Sequence, residues 1–488
     1  MNREIVSCDI GIIGLGVMGR NLLLNMADHG FTVTGFDIDK SKINNLQNVS
    51  KHKRIYAAET LIDFIHHLKI PRAILLLVPA GKPVDTVINE LIPLLNQEDL
   101  IIDAGNSHFT DTDQRIITLE KKGLEFLGIG ISGGEKGARS GPSIMPGGQK
   151  NAYKKIKNIF EAIAAKVDHE PCVTYLGTGS CGHYVKMVHN GIEYGLMQLI
   201  AETYDLLKRG LGLNNNQLAE IYDDWNHQEL NSYLIEITAN IFNQQDHKTG
   251  KYLIDEIVAI AKQNGTGMWT SQSALALQMP SPTIDTAVAM RDMSVLDDIR
   301  ESLSQLYVRP IQSLCINNTL FVMQLKKALY ASLIITYAQG FSLLFKASEK
   351  YDYHLKLSSI AKIWRGGCII RAKLLDDILN AYHDNVHLNH LLSDPRIAKQ
   401  IMDCQEYLRQ TVSHASHLGI ATPAMMSSLA YLDAMRTTVS PANLIQAQRD
   451  YFGSHTYERI DEKGPFHTQW DKNPYTRNKT NEKINVNR

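Results

Sequence analysis

Four polar side chains with acid, base or hydrogen-bonding chemistry share one face of a predicted helix. They are spaced three, four and seven residues from the first, at Lys186, His189, Asn190 and Glu193, and such spacings align side chains on a helix. About 10 Å of helix axis separates the lysine from the glutamate, so both flexible side chains can reach one small ligand. Nearly every other position is apolar or small, which favours a face that lines a cleft. The alternative is an ordinary solvated helix face.

A glycine-rich turn near the start of the sequence has the pattern of a dinucleotide-binding loop. It follows a predicted strand and opens a predicted helix, and its members are Gly14, Leu15, Gly16, Val17, Met18 and Gly19. Glycine permits a tight turn and close backbone approach, so the helix N-terminus can present amide groups to a pyrophosphate. The alternative is a glycine turn without a ligand.

The end of the second predicted strand bears on the choice between NAD and NADP. Asp37 lies there, where an acid accepts hydrogen bonds from the adenosine ribose and repels the 2′-phosphate of NADP. Ile38 offers no guanidinium to that phosphate, although Lys40 and Lys42 follow closely and partly compensate. The sequence therefore favours NAD, with NADP as the alternative.

These candidate sites require a domain that mixes strands and helices, followed by a helical one. Residues 1–179 alternate short β-rich runs with helical segments, which predicts an α/β, Rossmann-type domain with strands at Ile10–Ile13, Phe31–Phe36, Ala73–Val78, Leu100–Asp103 and Phe126–Ile131. Residues 180–440 carry apolar side chains at three- and four-residue spacing, which predicts a large all-helical domain with helices at Val185–Arg209, Asn216–Asn240, Leu325–Lys350 and Ser393–His417. Residues 441–488 form a predicted C-terminal tail, whose last ~18 residues have a polar composition typical of disorder.

The overall composition excludes several classes of function. A formal net charge of −1 gives no general attraction for nucleic acid or for an anionic membrane. Six cysteines lack the spacing of a zinc site or of a disulfide framework, so we expect no metal and a reducing, cytoplasmic compartment. The longest uninterrupted apolar runs are far shorter than the roughly 20 residues of a membrane span.

Four longer motifs identify a family resemblance. VKMVHNGIEYG (185–195), SGGEKGARSGPSIMPGG (132–148), GNS (105–107) and LIQAQRDYFGSHTYERID (444–461) resemble segments of the decarboxylating 6-phosphogluconate dehydrogenases, within the β-hydroxyacid dehydrogenase group. The resemblance covers nearly the whole chain. It implies a Rossmann-type domain, a large helical domain and a tail that inserts into the partner subunit of a homodimer.

The resemblance also assigns roles to residues. Lys186 is implied to be the general base that accepts the proton of the 3-hydroxyl of 6-phosphogluconate, and Glu193 the acid that protonates the intermediate after loss of carbon dioxide, giving ribulose 5-phosphate without a metal. Val78 and Asn106 are added to the cofactor residues. The residues implied to hold the carboxylate and hydroxyls of the substrate are Asn106, Ser132, Gly133, Gly134, His189 and Asn190.

The phosphate end of the substrate is implied to bind residues from two subunits. One subunit would contribute Tyr194, Thr266 and Arg291, and the neighbouring subunit Arg449 and His455. Each active site of the homodimer would then contain residues from both subunits.

Two departures from the family pattern affect what is expected. Family members typically read KGTGKW where this chain has Asn264 and Met268 in place of the lysines, which predicts weaker phosphate binding because a neutral hydrogen bond replaces a charge-assisted one. NADP-dependent members typically carry Asn-Arg-Thr where this chain has Asp37-Ile38-Asp39. Two alternative functions follow: a related dehydrogenase of an unphosphorylated sugar acid, and a non-catalytic nucleotide-binding regulator.

Overall fold

The first part of the chain is a seven-stranded sheet with helices on both faces. The computed structural model describes residues 7–50, 54–308 and 317–470. The strands are β1 (Ile10–Ile13), β2 (Val33–Phe36), β3 (Ile55–Ala57), β4 (Ala73–Leu76), β5 (Leu100–Asp103), β6 (Glu125–Ser132) and β7 (Ser143–Gly148). The helices are α1 (Val17–Asp28), α2 (Lys40–Ser50), α3 (Leu61–His66), α4 (Lys82–Leu91), α5 (Phe109–Glu120), α6 (Gly134–Ser140) and α7 (Lys150–Ile163). A short hairpin, β8 (Lys166–Val167) and β9 (Glu170–Pro171), follows.

The strand order places a ligand crevice beside β1. The order is β3-β2-β1-β4-β5-β6-β7, with neighbours parallel from β3 through β6 and β7 antiparallel to β6. The chain direction across the sheet reverses between β1 and β4, and parallel sheets of this kind bind ligands at the carboxyl ends of the strands at such a point. The predicted Rossmann-type domain is confirmed.

Alternating side chains of the central strands fill two separate apolar layers. Leu75 and Ile102 pack in one cluster and Ile74 and Ile101 in the other. All four are fully buried, as expected for a parallel sheet covered on both faces.

In the seven-stranded sheet the structure adds two strands to the five that were predicted, and it changes some boundaries. β2 begins at Val33 and not at Phe31, and β4 ends at Leu76 and not at Val78. β3 has only three residues, and β7 has the sequence SIMPGG, whose proline and glycines are poor strand formers. Proline is tolerated in β7 because this strand lies at the edge of the sheet.

The second part of the chain is helical, as predicted. Its helices are α8 (Cys181–Asp205), α9 (Asn215–Asn226), α10 (Tyr233–Asn243), α11 (Thr266–Ala276), α12 (Pro282–Ser294), α13 (Asp297–Leu306), α14 (Asn318–Tyr351), α15 (Leu357–Trp364), α16 (Leu374–Asp384), α17 (Pro395–Leu418) and α18 (Pro423–Met435). The predicted single helix Asn216–Asn240 is wrong, because α9 ends before His227 and α10 starts after Ser232, whose side chain accepts a hydrogen bond from the amide of Ile235 at 3.3 Å.

Helix α14 is long and apolar enough to cross a membrane by length and composition. The prediction that the apolar segments of the chain are too short to span a membrane is therefore wrong for this helix. However, 89% of its most apolar window is buried inside the protein, which is typical of a core helix, and this explains its composition without a membrane.

The described residues form two compact units, one that ends at Leu429 and one that begins at Ala430. The second unit contains α19 (Ala442–Gly453) and a hairpin, β10 (Tyr457–Glu458) and β11 (Pro465–Phe466). The domain boundaries predicted at 179/180 and 440/441 stay predictions. The ~18 terminal residues predicted to be disordered lie outside the described residues.

The carboxylate of Asp450 organises the second unit. It accepts hydrogen bonds from the amides of Thr456 and Thr468, both at 3.0 Å, and from the indole of Trp470 at 2.9 Å, and it pairs with His467 at 2.9 Å. Burial would raise the pKa of this carboxyl, but the hydrogen bonds outweigh burial and hold the pKa below its ordinary value. These contacts hold the residues before and after the hairpin against α19.

Candidate active site

The glycine loop after β1 is shaped so that only one glycine is open to a ligand. Gly14 has φ +101°, and a Cβ there would lie 2.4 Å from the carbonyl oxygen of Leu77. A Cβ on Gly19 would lie 1.8 Å from the carbonyl oxygen of Gly14, so this glycine lets α1 pack against the loop. Nothing lies within 4 Å of a Cβ on Gly16, which precedes Val17 at the uncapped N-terminus of α1. The loop therefore fits a dinucleotide pyrophosphate.

The loop is held from behind by Asp37. One carboxylate oxygen accepts the amide of Leu15 at 2.7 Å, and the other accepts the amide of Asp39 at 2.9 Å. Lys42 Nζ lies 3.2 Å from this carboxylate. The side chain of Ile38 is 92% exposed. Asp37 thus lies at the predicted end of β2 and connects the glycine loop to that strand. Met18 is partly buried and packs against the apolar layer behind the loop.

The remaining two cofactor residues lie in the loops that follow β4 and β5. Val78 Cγ1 would be 3.2 Å from a Cβ on Gly14, and its carbonyl oxygen 3.3 Å from a Cβ on Gly105. Asn106 is exposed next to Gly105. The structure therefore brings both predicted residues to the same crevice as the glycine loop.

Lys186 is buried where α8 crosses the sheet. Its side chain is only 7% exposed, and a Cβ on Gly130 of β6 would approach its Cβ to 2.3 Å, so the contact requires glycine there. Burial lowers the pKa of the Lys186 ammonium, although the nearby Glu193 and Cys368 act in the opposite direction. Lys186 Nζ has no hydrogen bond to any residue within the described ranges. Burial therefore favours the neutral amine, which is the form that can accept a proton.

His189, one turn further along α8, connects the sheet to α11. Its Nε2 lies 3.2 Å from Ser132 Oγ and its Nδ1 lies 3.1 Å from Asn190 Oδ1. Asn190 in turn donates to Thr266 Oγ1 at 3.0 Å. Burial, and then the charge of Lys186, lower the pKa of His189 well below its ordinary value. The ring is therefore neutral and can orient polar groups of a ligand.

Glu193 completes the predicted face of the helix. Its Oε2 lies 3.7 Å from His189 Nδ1. Burial raises the pKa of the Glu193 carboxyl, with Lys186 and Arg291 opposing that effect. A base with a lowered pKa and an acid with a raised pKa on one buried face form a pair suited to proton transfer near neutrality.

Two glycines continue the site beyond the end of β6. Gly133 has φ +123° and Gly134 has φ +61°. A Cβ on Gly133 would lie 2.4 Å from the carbonyl oxygen of Gly367. These two residues have left-handed backbone conformations and connect Ser132 to the start of α6. The backbone amides of this turn therefore lie close in sequence to Ser132, which contacts His189.

The predicted phosphate residues of the first unit gather at the far end of the helix face. The Arg291 guanidinium stacks on the Tyr194 ring, 3.4 Å from its centroid, and Arg291 Nη1 donates to the carbonyl oxygen of Lys262 at 3.4 Å. The side chain of Thr266 is buried at the start of α11. The Arg291 guanidinium forms no salt bridge among the described residues, although its charge acts on the Glu193 carboxyl. Such a cation suits the binding of an anion.

Asn264 and two further predicted residues are exposed. Asn264 precedes Gly265, the left-handed residue before α11. In the second unit, Arg449 on α19 donates to Gln446 at 3.0 Å, and the ring of His455 packs edge-on against Phe452. Arg449 and His455 flank the Asp450 network.

Several residues that support the site were not predicted from the sequence. Trp364 packs edge-on against His189 with ring centroids 5.5 Å apart, and Gly367 closes against Gly133. Both are more than 170 positions from their contacts in sequence, and no local pattern indicates such a pairing. Gly130 had a usable signal, because a glycine inside a strand often marks close backbone approach.

The fold and the site together define the chain as a nicotinamide-dinucleotide-dependent oxidoreductase. The model of the NAD binding domain of 6-phosphogluconate dehydrogenase matches residues 9–177, and the model of the 6-phosphogluconate dehydrogenase C-terminal domain matches residues 182–470. The chain belongs to the 6-phosphogluconate dehydrogenase family.

Relatives with known names are similar along nearly the whole chain. The NADP(+)-dependent, decarboxylating 6-phosphogluconate dehydrogenase of Bacillus subtilis is 49% identical, covering 95% of this chain and 99% of that protein. The decarboxylating enzyme of Escherichia coli is 48% identical, covering 94% and 98%. The structure of Plasmodium falciparum 6-phosphogluconate dehydrogenase, described in apo form and with NADP+ or 6-phosphogluconate, matches with a TM-score of 0.92 and 44% identity, covering 95% and 100%.

Proposed function

We propose that the chain oxidises 6-phosphogluconate and decarboxylates it to ribulose 5-phosphate and carbon dioxide, reducing a nicotinamide dinucleotide. The observation that carries this proposal is the placement of three groups on one face of α8: Lys186 is buried, and Glu193 Oε2 lies 3.7 Å from Nδ1 of buried His189. Burial there lowers the pKa of Lys186 and raises that of Glu193. The family relationship supplies the substrate class.

The first step is oxidation at C3. Neutral Lys186 accepts the proton of the 3-hydroxyl while the hydrogen on C3 departs as hydride, for which the bound dinucleotide supplies the acceptor. Ser132 and His189 hold the hydroxyl and carboxylate groups in this orientation, since their side chains already form one hydrogen-bonded pair. The product of this step is a 3-keto acid.

The second step is loss of carbon dioxide. The bond between the carboxylate carbon C1 and C2 breaks, C1 leaves as carbon dioxide, and the electrons form a C2–C3 double bond while the C3 oxygen receives the proton from Lys186, which gives an enediol. Glu193, whose raised pKa favours the protonated carboxyl, delivers a proton to the former C2, which becomes C1 of the ketose, while Lys186 takes back the hydroxyl proton of the enediol. All protons are handled by chain residues.

The phosphate of the substrate is bound beside the middle of α8 by Tyr194, Thr266 and Arg291. We expect Arg449 and His455 of a neighbouring subunit to complete this site, so the active enzyme is a homodimer. Exposed apolar side chains support association: Leu444 and Phe452 of α19 are 61% and 73% exposed, which is unfavourable unless another surface covers them.

We also propose a preference for NAD and a cytoplasmic location. Two carboxylates follow β2: that of Asp37 is buried and accepts the amides of Leu15 and Asp39, and that of Asp39 is exposed. Negative charge there disfavours a 2′-phosphate, and exposed Ile38 supplies no cation to bind one. The Bacillus subtilis relative is named NADP(+)-dependent, so the proposed preference for NAD is supported only by Asp37, Ile38 and Asp39.

The cytoplasmic location is supported by the cysteines within the described residues, all of which are buried and unpaired.

Initial rates on 6-phosphogluconate and on gluconate, each with NAD and with NADP, test these proposals together. We expect turnover of 6-phosphogluconate with release of carbon dioxide, and a higher kcat/KM with NAD. Gluconate as good a substrate as 6-phosphogluconate would instead support an unphosphorylated acid. A kcat/KM at least tenfold in favour of NADP, about 1.4 kcal/mol, would contradict the NAD preference.

A further inference from the structure

Arg115, on α5, is buried behind the crevice and forms hydrogen bonds in several directions. Its side chain is 5% exposed. Nε donates to Asp85 at 2.7 Å and Nη2 to the carbonyl oxygen of Gly81 at 3.2 Å. Nη1 donates to Asp103 Oδ2 and to Ser107 Oγ, both at 3.1 Å. The planar guanidinium fixes the directions of all these bonds at once.

These contacts connect two loops that border the dinucleotide crevice. Gly81 precedes α4 and ends the loop after β4 that contains Val78. Asp103 ends β5, and Ser107 follows Asn106 in the next loop. One guanidinium therefore sets the separation of the loops that carry Val78 and Asn106.

The loop around Asn106 is held on both sides by the same carboxylate. Asp103 Oδ1 accepts the amide of Gly105 at 3.1 Å, and Asp103 Oδ2 accepts Ser107 Oγ at 2.6 Å. Asn106 itself remains exposed between these two anchors. The pairing of Asp103 with Arg115 at 3.1 Å orients the carboxylate for both bonds.

A comparable ion pair joins the opposite ends of the same two strands. Arg72 Nη1 lies 2.8 Å from Asp99 Oδ2, and these residues directly precede β4 and β5. Arg72 is 11% exposed and Asp99 is fully buried. This pair lies at the amino ends, away from the ligand edge of the sheet, and so provides a matched control for Arg115.

We propose that Arg115 is a positioning residue that holds the loops after β4 and β5 at the separation required by the bound dinucleotide. Removing the guanidinium lets the two loops move independently and leaves the buried Asp103 carboxylate without its cation. Displacement of reacting groups by a fraction of an ångström to 1 Å slows reactions strongly. The turnover readout rests on the proposed function, whereas dinucleotide binding does not.

The test compares Arg115→Gln with Arg72→Gln in the full-length protein. Thermal unfolding, dissociation constants for NAD and NADH, and kcat and KM are measured for both, with rates corrected for the folded fraction. We expect both variants to lower Tm. Only Arg115→Gln should weaken dinucleotide binding and lower kcat/KM for the dinucleotide, each at least tenfold. Wild-type binding and kinetics in folded Arg115→Gln would overturn the proposal, and so would an equal kinetic loss in Arg72→Gln.

Ser107→Ala covers the case in which Arg115→Gln does not fold. This variant keeps the ion pair and removes one anchor of the Asn106 loop. We expect dinucleotide binding to weaken at least threefold with little change in Tm, and unchanged binding would overturn the proposal. Should the wild-type protein bind dinucleotide but fail to turn over 6-phosphogluconate, the proposed function fails while the binding comparison still tests Arg115.

Discussion

At the scale of single residues, one buried helix face holds both proton-transfer groups. Lys186 and Glu193 are separated by two turns of α8, and burial displaces their pKa values in opposite directions. These shifts favour a neutral amine, which can accept a proton, and a neutral carboxyl, which can donate one. Rates limited by the oxidation step should therefore rise with pH through the lowered pKa of Lys186.

Lys186→Met should abolish oxidation and leave dinucleotide binding intact, because the amine acts on the substrate. A fall in kcat of about 10²- to 10⁴-fold is expected for loss of a general base. The rate is measured as formation of reduced dinucleotide, and dinucleotide binding is measured by fluorescence titration.

Glu193→Gln is the complementary variant and should suppress ketose formation. Near-normal turnover by either purified variant would remove that residue from its role.

Asn264→Lys should strengthen binding of 6-phosphogluconate. An added cation at the start of α11 would form a charge-assisted bond with the phosphate worth about 1.5 to 3 kcal/mol, roughly ten- to a hundredfold in affinity. KM and the dissociation constant for 6-phosphogluconate measure the effect, with Asn264→Gln as the uncharged control. An unchanged KM in the lysine variant would discard the explanation that the missing charge weakens binding.

At the scale of elements, the segment after α19 depends on Asp450. Asp450→Ala should expose this segment to protease and accelerate amide exchange over residues 442–470, because three donors lose their acceptor. Turnover should fall as well, since Arg449 and His455 lie on either side of Asp450. Asp461→Ala is the matched control, because Asp461 is an exposed carboxylate of the same unit that pairs with the neighbouring Arg459.

The pH dependence of this segment follows from the lowered pKa of Asp450. A carboxyl whose pKa is lowered on folding stabilises the folded state above its ordinary pKa of about 3.9. That contribution is lost as the pH falls through the lowered value. Exchange protection that stays constant through this acidic range would contradict the role given to the carboxylate.

At the scale of the whole molecule, α13 exposes an apolar face that a second subunit could cover. Ile299, Leu303 and Leu306 are 55%, 45% and 72% exposed. We expect the protein to sediment as a dimer, and Ile299→Glu with Leu303→Glu to shift it toward monomer with loss of turnover. Ile62→Glu is the control, because Ile62 is also exposed on a helix, α3, at 57%. An unaffected dimer in the double variant would exclude this face from the interface.

The sequence by itself determined the features that follow from local pattern. The order of strand, glycine turn and helix predicted the loop from Gly14 to Gly19, and three- and four-residue spacing placed Lys186 and Glu193 on one face of α8. The long motifs indicated the family, which the comparisons then showed. Local periodicity suffices for these features because adjacent residues of one element carry the whole signal.

Only the tertiary structure decided the features that depend on distant contacts. Residues 216–240 form two helices, β3 and β7 join the sheet, and α14 is a buried core helix. The displaced pKa values on α8 and the link from Arg115 to the loops after β4 and β5 likewise arise from elements far apart in sequence. Burial and ion pairing depend on what surrounds a side chain in space, and no spacing along the chain specifies those surroundings.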